Sequence, residues 1–377
     1  MQLLSLGVRD FRNLRQVRFE PSARASVIVG PNGQGKTNLL EALYFLATLK
    51  ALRARRLAEL VRLGESAARV AAQFLLGGAT REIAVDIQPP SRKASVDGKR
   101  AATLEDYFGG VSVVSFTPDD LDIVKGSPEQ RRHFLDRAVF NRWPAFLHEG
   151  RTYARAVKAR NRLLKENAPN EYVSAYDQAL AQAGARVWVR RRELLSEMAG
   201  PTAQRFSDIG RCKDPARFTY AAPDLGVEFA NTNESGLTEA FIQVLKTQLP
   251  RDRERGFTSL GPHSDDVDIH LGEHPARAFA SQGQQRALVL AWKIAELNRL
   301  TEVLGRVPML LLDDVSSELD PERNAFLMDC ISQTAGQVVM TTTDANLVRA
   351  VSASDTRWFR MAQGELLPWS DRPASAA

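Results

Sequence analysis

Two cysteines, Cys212 and Cys330, are all that 377 residues contain. They are too few for a disulfide framework or a cysteine-rich metal site, and both are expected as reduced thiols. Five histidines (133, 148, 263, 270 and 274) form no zinc pattern. The one suggestive stretch, His263-Ser264-Asp265-Asp266, has no partner at ligand spacing and reads as a hydrogen-bonded structural corner. Long apolar runs are also missing. VPMLLL at 307–312 is far too short to span a bilayer, and Arg9, Asp10 and Arg12 interrupt a signal-peptide reading of the start. The expectation is a cytoplasmic protein with no membrane partner. Neither an internal repeat nor a sustained heptad run occurs, and the charge excess is only +5. What is present is 44% hydrophobic content, enough to bury a core in a chain long enough for two domains.

The apolar run SVIV at 26–29 leads into GPNGQGKT at 30–37. Gly30, Gly35, Lys36 and Thr37 fill the pattern G-x-x-x-x-G-K-[ST], with Pro31, Asn32, Gly33 and Gln34 between them and Asn38 next. Glycines let successive N–H groups turn inward around a phosphate, Lys36 can reach the outer phosphates, and the Thr37 hydroxyl can hold Mg²⁺. Residues 36–48, KTNLLEALYFLAT, lack Gly and Pro and predict a helix whose positive N-terminus faces the nucleotide. Such a loop needs a carboxylate at the end of a buried strand. PMLLLDD at 308–314 supplies it: Asp313 is placed for the Mg²⁺ water shell, and Asp314 for polarising the attacking water. GTPases, helicases and transporter motors share these two features.

Two further stretches narrow the class. ASQGQQR at 280–286 precedes a helical pattern with Ala287, Leu290, Ala291, Ile294 and Leu297 on one face, and VSSELD follows the strand carboxylates at 315–320. This order resembles an ABC-type ATPase head, with Ser281, Gly283 and Gln284 at the signature motif and Ser317 to Asp320 at the D-loop. Adding FRN at 11–13, KGSPEQRRHFLD at 125–136, RN at 160–161 and GPHSDD at 261–266, the chain resembles the RecF family of bacterial DNA replication and repair ATPases over almost its whole length.

The resemblance implies an α/β fold, an ABC-type head with a P-loop core and an inserted, mostly helical lobe. It implies ATP and Mg²⁺ as cofactors and an ATP-dependent homodimer in which Lys36 of one copy faces Ser281 of the other across each nucleotide. It further implies binding of duplex DNA at gaps or strand junctions, and RecR-type and RecO-type partners that help load recombinase. Arg12 and Asn13 are expected near the nucleotide phosphates and Arg53 near the opposing active site, with solvated arginines an equal reading. Many ABC heads carry Glu where this chain has Asp314, and a switch histidine where it has Thr341, Thr342 and Thr343; turnover is expected to be slow. The Q-loop is sought within SFTPDDL, 115–121.

The basic excess is local: residues 121–257 carry 23 Lys and Arg against 17 Asp and Glu. Arg151, Arg155, Lys158, Arg162 and Lys165 recur at helical spacing, a stripe about 20 Å long at ~1.5 Å per residue. It can follow a nucleic-acid backbone, the alternative being a solvated face. Lys50, Arg53, Arg55 and Arg56 form a second cluster, and Arg186, Arg190, Arg191 and Arg192 a third. No base-reading motif accompanies them, so phosphate and shape contacts are expected. The domains expected are an ATPase lobe of residues 1–120 and 258–370, a helical basic lobe of 121–257 and a disordered tail at 371–377. The missing heptads, the small insertion and its prolines, Pro201 among them, argue against a coiled-coil SMC head; a transporter motor would normally lack the insertion.

Overall fold

In the computed structural model, residues 1–54, 56–103, 107–108, 110–121, 123–210, 214–333, 336–351 and 355–369 are described; Arg55, Cys212 and the tail at 371–377 lie outside the described residues. The chain forms two units, Met1–Leu121 with Lys293–Ala377, and Asp122–Trp292.

In the first unit, strands β1 (Gln2–Phe11) and β2 (Leu14–Phe19) are joined by the turn Arg12-Asn13. With β4 (Ala68–Leu76), β5 (Ala79–Gln88), β6 (Ser91–Val96) and β7 (Lys99–Arg100) they make an antiparallel sheet, order β2-β1-β4-β5-β6-β7. Alternation along β4 and β5 leaves one face partly solvated. Asp97 and Gly98, both at positive φ (49° and 74°), make the hairpin turn expected of that dipeptide.

The second sheet of this unit holds β3 (Ala25–Val29), β8 (Val113–Phe116), β12 (Met309–Asp313), β13 (Val338–Thr342), β14 (Thr356–Ala362) and β15 (Glu365–Pro368), in the order β15-β14-β3-β13-β12-β8. All neighbours are parallel except β15. Its middle strands read as continuous apolar runs because both faces are covered. Helix α1 (Lys36–Thr48) begins at the predicted residue and is buried almost all round, touching strands of both sheets. The register sets Asp313 opposite Thr341 and Thr342 opposite Val29. Three strands therefore end together at the carboxyl edge, where open α/β sheets bind ligands.

The second unit contains α2 (Pro128–Arg142), α3 (Phe146–Lys165), α4 (Asp177–Gly210) and α5 (Glu234–Arg255). It also has a small antiparallel sheet of β9 (Ala216–Ala221), β10 (Asp266–Leu271) and β11 (His274–Pro275), order β11-β10-β9. Residues 258–292, expected with the ATPase lobe, belong to this unit. Strand β10 pairs with β9 along six residues, and Arg131 on α2 grips both oxygens of Asp266 at 2.6 Å. The unit ends within α6 (Gln282–Leu304). Pro201 does not break α4, which continues as a helix of 34 residues packed on α3 and α5; tertiary burial outweighs the roughly 3 kcal/mol a mid-helix proline costs. Among the described residues, no helix is long and apolar enough to cross a membrane.

Candidate nucleotide site and basic face

Gly30 follows β3 and has no room for a side chain: a Cβ there would meet the Met361 carbonyl oxygen at 2.4 Å. Gly35, at φ 110°, caps α1 in a conformation L residues avoid, and its Cβ would strike the Asn13 side chain at 2.8 Å. Gly30 is thus required by the close approach of backbone, and Gly35 by its positive φ. Pro31, Asn32 and Gly33 are exposed, and Gln34 is half-buried. The turn between β14 and β15 buttresses the loop, since Gln363 N–H donates to Gln34 Oε1 (2.7 Å) and Gly364 N–H to the Gln34 carbonyl (2.9 Å). This C-terminal support has no local signature in the sequence.

The Lys36 ammonium donates to the carbonyls of Gly30 (2.7 Å) and Pro31 (3.0 Å), folding across the mouth of its own loop. Burial pushes its pKa below the ordinary lysine value, against the pull of Asp314 and Asp313. Thr37 Oγ1 lies 2.8 and 2.9 Å from the two oxygens of Asp313, so the two predicted metal ligands share one point at the end of β12. Burial raises the Asp313 pKa; hydrogen bonds from Thr37 and Thr341 and the nearby Arg53 charge act in the opposite sense. A hydroxyl and a carboxylate meeting at a helix N-terminus form a donor set suited to a hard cation beside phosphate.

Asp314 sits at φ 50° and is half-buried. Its N–H donates to Thr341 Oγ1 (3.0 Å), while its Oδ1 accepts from Thr343 N–H (3.3 Å). Thr341 Oγ1 also donates to Asp313 Oδ1 at 2.9 Å. Of the three threonines expected in place of a switch histidine, Thr341 and Thr343 therefore hold the two carboxylates, while Thr342 donates to the Asp344 carbonyl.

Arg12, expected at the phosphates, forms a two-pronged pair with Glu41, at 2.9 and 3.2 Å. Asn13 Oδ1 accepts from Asn38 Nδ2 at 2.8 Å, fastening the β1–β2 turn to the start of α1. The Arg53 guanidinium stands 3.7 Å from Asp313 and 3.2 Å from Asp119, at its own chain's carboxylate site. The 115–121 segment thus offers Asp119, not glutamine, beside Arg53. Arg56 is exposed. Sequence reasoning missed Glu41, whose signal was a lone acid four residues after Thr37 in the otherwise apolar stretch 39–47.

Ser281, Gly283 and Gln284 form the N-terminus of α6 in the second unit. Ser281 N–H donates to Gln284 Oε1 (2.9 Å) and Gln284 N–H to Ser281 Oγ (3.2 Å), a capping box. The exposed serine oxygen accepts within the box, and its O–H proton remains able to donate outward. Downstream, Asp320 accepts from Arg323 N–H at 3.0 Å.

The remaining blocks interlock inside the second unit. Arg160, fully buried, bonds Asp177 (2.9 Å), Asp252 (2.7 Å) and Thr258 (2.9 Å), while Asn161 Oδ1 accepts from Thr258. Asp265 accepts from Trp188 Nε1 (2.6 Å) and Tyr220 O–H (2.7 Å), and His263 Nδ1 meets Tyr153 O–H at 2.6 Å. The HSDD stretch is a hydrogen-bonded corner.

Of the basic clusters, the third is a set of structural pairs: Arg186 with Glu234, Arg190 with Glu149, Arg191 buried against Asp136, and Arg192 on the Phe229 and Thr232 carbonyls. It leaves little charge for a ligand. The α3 stripe is different. Arg151, Arg155, Lys158, Arg162 and Lys165 are all exposed, although Arg162 pairs with Glu166 at 2.7 Å. Grooves of about 630 and 480 Å³ run beside it, sharing Ala154 and Lys158.

Comparison with known proteins agrees with this geometry. The family described as RecF/RecN/SMC N terminal domain matches residues 2–364. The DNA replication and repair protein RecF of Myxococcus xanthus (strain DK1622) is 59% identical over 373 residues, 98% of each chain. That of Anaeromyxobacter sp. (strain Fw109-5) is 51% identical over 369 residues, 98% of this chain and 99% of that one. A solved structure described as the recombination mediator protein RecF-ATPrS in the RecFOR pathway matches with a TM-score of 0.86 at 27% identity, covering 98% of both chains. An Smc head bound to the C-winged helix domain of ScpA matches with a TM-score of 0.55 at 17% identity over 97% of this chain and 96% of that one, a likeness of fold alone. With its P-loop, strand carboxylates and relatives in agreement, the chain belongs to the RecF family, ABC-type ATPases of DNA replication and repair.

Proposed function

We propose that this chain is an ATP- and Mg²⁺-dependent DNA-binding ATPase of recombinational repair and replication-fork recovery, working in the cytoplasm as a homodimer that closes on ATP. The observation that carries the reading is the meeting of Thr37 and Asp313 at 2.8 Å beside the Lys36 loop. Bound Mg²⁺·ATP supplies the phosphoryl group transferred to water and the cation that neutralises its charge. Thr37 and Asp313 would hold that cation, and the loop N–H groups of residues 32–38 would cradle the phosphates. Lys36, now resting on two carbonyls, would exchange them for phosphate oxygens. Asp314, fixed by Thr341 and Thr343, would orient the attacking water. The O–H of Ser281, with the helix N-terminus at Gly283 and Gln284, would reach the nucleotide of a second copy, so that only two chains complete each site. Binding then favours the dimer by mass action and slow hydrolysis releases it.

The exposed α3 stripe would take duplex phosphates at gaps or strand junctions. RecR-type and RecO-type proteins are the partners this reading calls for. Sedimentation with saturating ATP and magnesium, with and without duplex, tests the core of it: a dimer is expected, and a monomer under both conditions overturns it. ATP hydrolysis measured without DNA, with linear duplex and with gapped duplex tests the coupling.

A further inference from the structure

Glu41 is almost fully buried one turn beyond Thr37, within the apolar stretch of α1 at residues 39–47. A carboxylate in such a place must be compensated, and four donors do so. Arg12 gives two hydrogen bonds at 2.9 and 3.2 Å, and the main-chain N–H groups of Leu52 and Arg53 each give one to Oε1 at 3.1 Å. The last two bonds pin the backbone after α1 at the residue whose side chain stands 3.7 Å from Asp313. A guanidinium there is a competing cation: it neutralises the carboxylate that would otherwise hold a divalent ion together with Thr37. The second partner of Arg53, Asp119, is two-thirds exposed and lies 3.2 Å away, an alternative resting place when Asp313 is claimed.

We propose that Glu41 is a positioning residue which, by holding the Arg53 backbone, sets Arg53 as the resident counterion of Asp313 and so raises the Mg²⁺ concentration needed for tight nucleotide binding. The inference rests on the magnesium reading of Thr37 and Asp313. Its size is bounded by exposure. One unit charge about 4 Å from the cation would matter greatly in a dry site, but Arg53 is nearly half exposed and screened, so a three- to tenfold effect is expected, on the order of other partly exposed pairs.

The experiment is equilibrium anisotropy of a fluorescent N-methylanthraniloyl ATP at trace concentration, titrated with MgCl₂, with thermal unfolding recorded for every variant. Arg53→Ala and Glu41→Ala should each lower the half-saturating Mg²⁺ three- to tenfold. The double variant should match Arg53→Ala alone, because Glu41 acts through Arg53. Glu41→Gln, which keeps an oxygen for the two N–H donors, should stay within twofold of the parent. Thr37→Ala separates the two ideas by raising the requirement. If neither Thr37→Ala nor Arg53→Ala moves the curve, the magnesium reading itself fails. If Thr37→Ala moves it while Arg53→Ala leaves it unchanged or shifts it upward, the counterion role is overturned. If Arg53→Ala lowers it and Glu41→Ala, still folded by its melting curve, does not, Glu41 is not the positioning residue. Should Glu41→Ala not fold, a Glu41→Gln shift equal to that of Arg53→Ala would overturn the backbone-acceptor account.

Discussion

Replacing Arg151, Arg155 and Lys158 together by glutamine is the sharpest test of the basic face. These three side chains are exposed along one side of α3, and among the described residues none makes an ion pair with a carboxylate; the one partner shown is Thr152, which accepts from Arg155. Arg162 is excluded because Glu166 already pairs with it. Each cation that neutralises a phosphate adds about 0.9 to the slope of log K against log salt. Losing three contacts should therefore lower the slope by up to about 2.7. Across a fourfold rise in salt, from 50 to 200 mM, parent affinity should then fall up to about 40-fold more than that of the variant. Fluorescence anisotropy of a labelled duplex with ATP and magnesium, at four or five salt concentrations, measures both slopes. The helix should be unharmed, since glutamine and arginine have similar helix propensity. Equal slopes, with the circular dichroism of the variant unchanged, would return the stripe to a merely solvated surface and refute the argument that spacing and exposure mark a phosphate track.

Lys36→Ala should abolish ATP-dependent dimerisation in analytical ultracentrifugation, and an unaltered dimer would remove the sandwich. Asp314→Asn should trap the ATP-bound dimer with turnover reduced at least tenfold; normal release of inorganic phosphate would rule out its water-orienting role. Arg160→Leu leaves Asp177 and Asp252 without their buried cation and should cost about 3–5 kcal/mol in urea unfolding of the chain, whereas a loss under 1 kcal/mol would show that the network is not what holds the second unit together. Burial raises Asp265 from 3.8 to about 6 despite its bonds to Tyr220 and Trp188. The folded state keeps a proton that the unfolded chain has released between those values, so stability falls as pH rises through about 4 to 6. The loss amounts to roughly 3 kcal/mol at neutral pH. Asp265→Asn should flatten that slope, and an unchanged pH profile of unfolding would contradict the assignment.

The nucleotide site was legible because its determinants are local. A loop of eight residues, the helix boundary at Lys36 and the strand ending in Asp313 are each encoded within a few positions, and the parallel register that joins them follows from apolar runs that must be covered on both faces. Arg12, expected at the nucleotide phosphates, is engaged by a carboxylate one turn beyond Thr37 at 2.9 Å. Glu41 could have been suspected from its isolation among apolar residues; what it binds could not, because Leu52 and Arg53 offer main-chain N–H groups, which no side-chain pattern reveals.

Charge was read less well for a related reason. The arginines at 186–192 and those at 151–162 look alike in sequence, but the fold treats them oppositely. Helix α4 is covered by α3, α5 and β9, so Arg190, Arg191 and Arg192 find Glu149, Asp136 and main-chain carbonyls, while the exposed Arg186 is paired with Glu234. Helix α3 turns Tyr153, Arg160 and Leu164 inward and leaves one side uncovered. Net charge in a segment therefore predicts a nucleic-acid surface only after each cation has been tested against the carboxylates that folding brings to it. The same test separates Arg160, sealed between two aspartates as part of the framework, from Lys158 two residues earlier, which remains available to a phosphate.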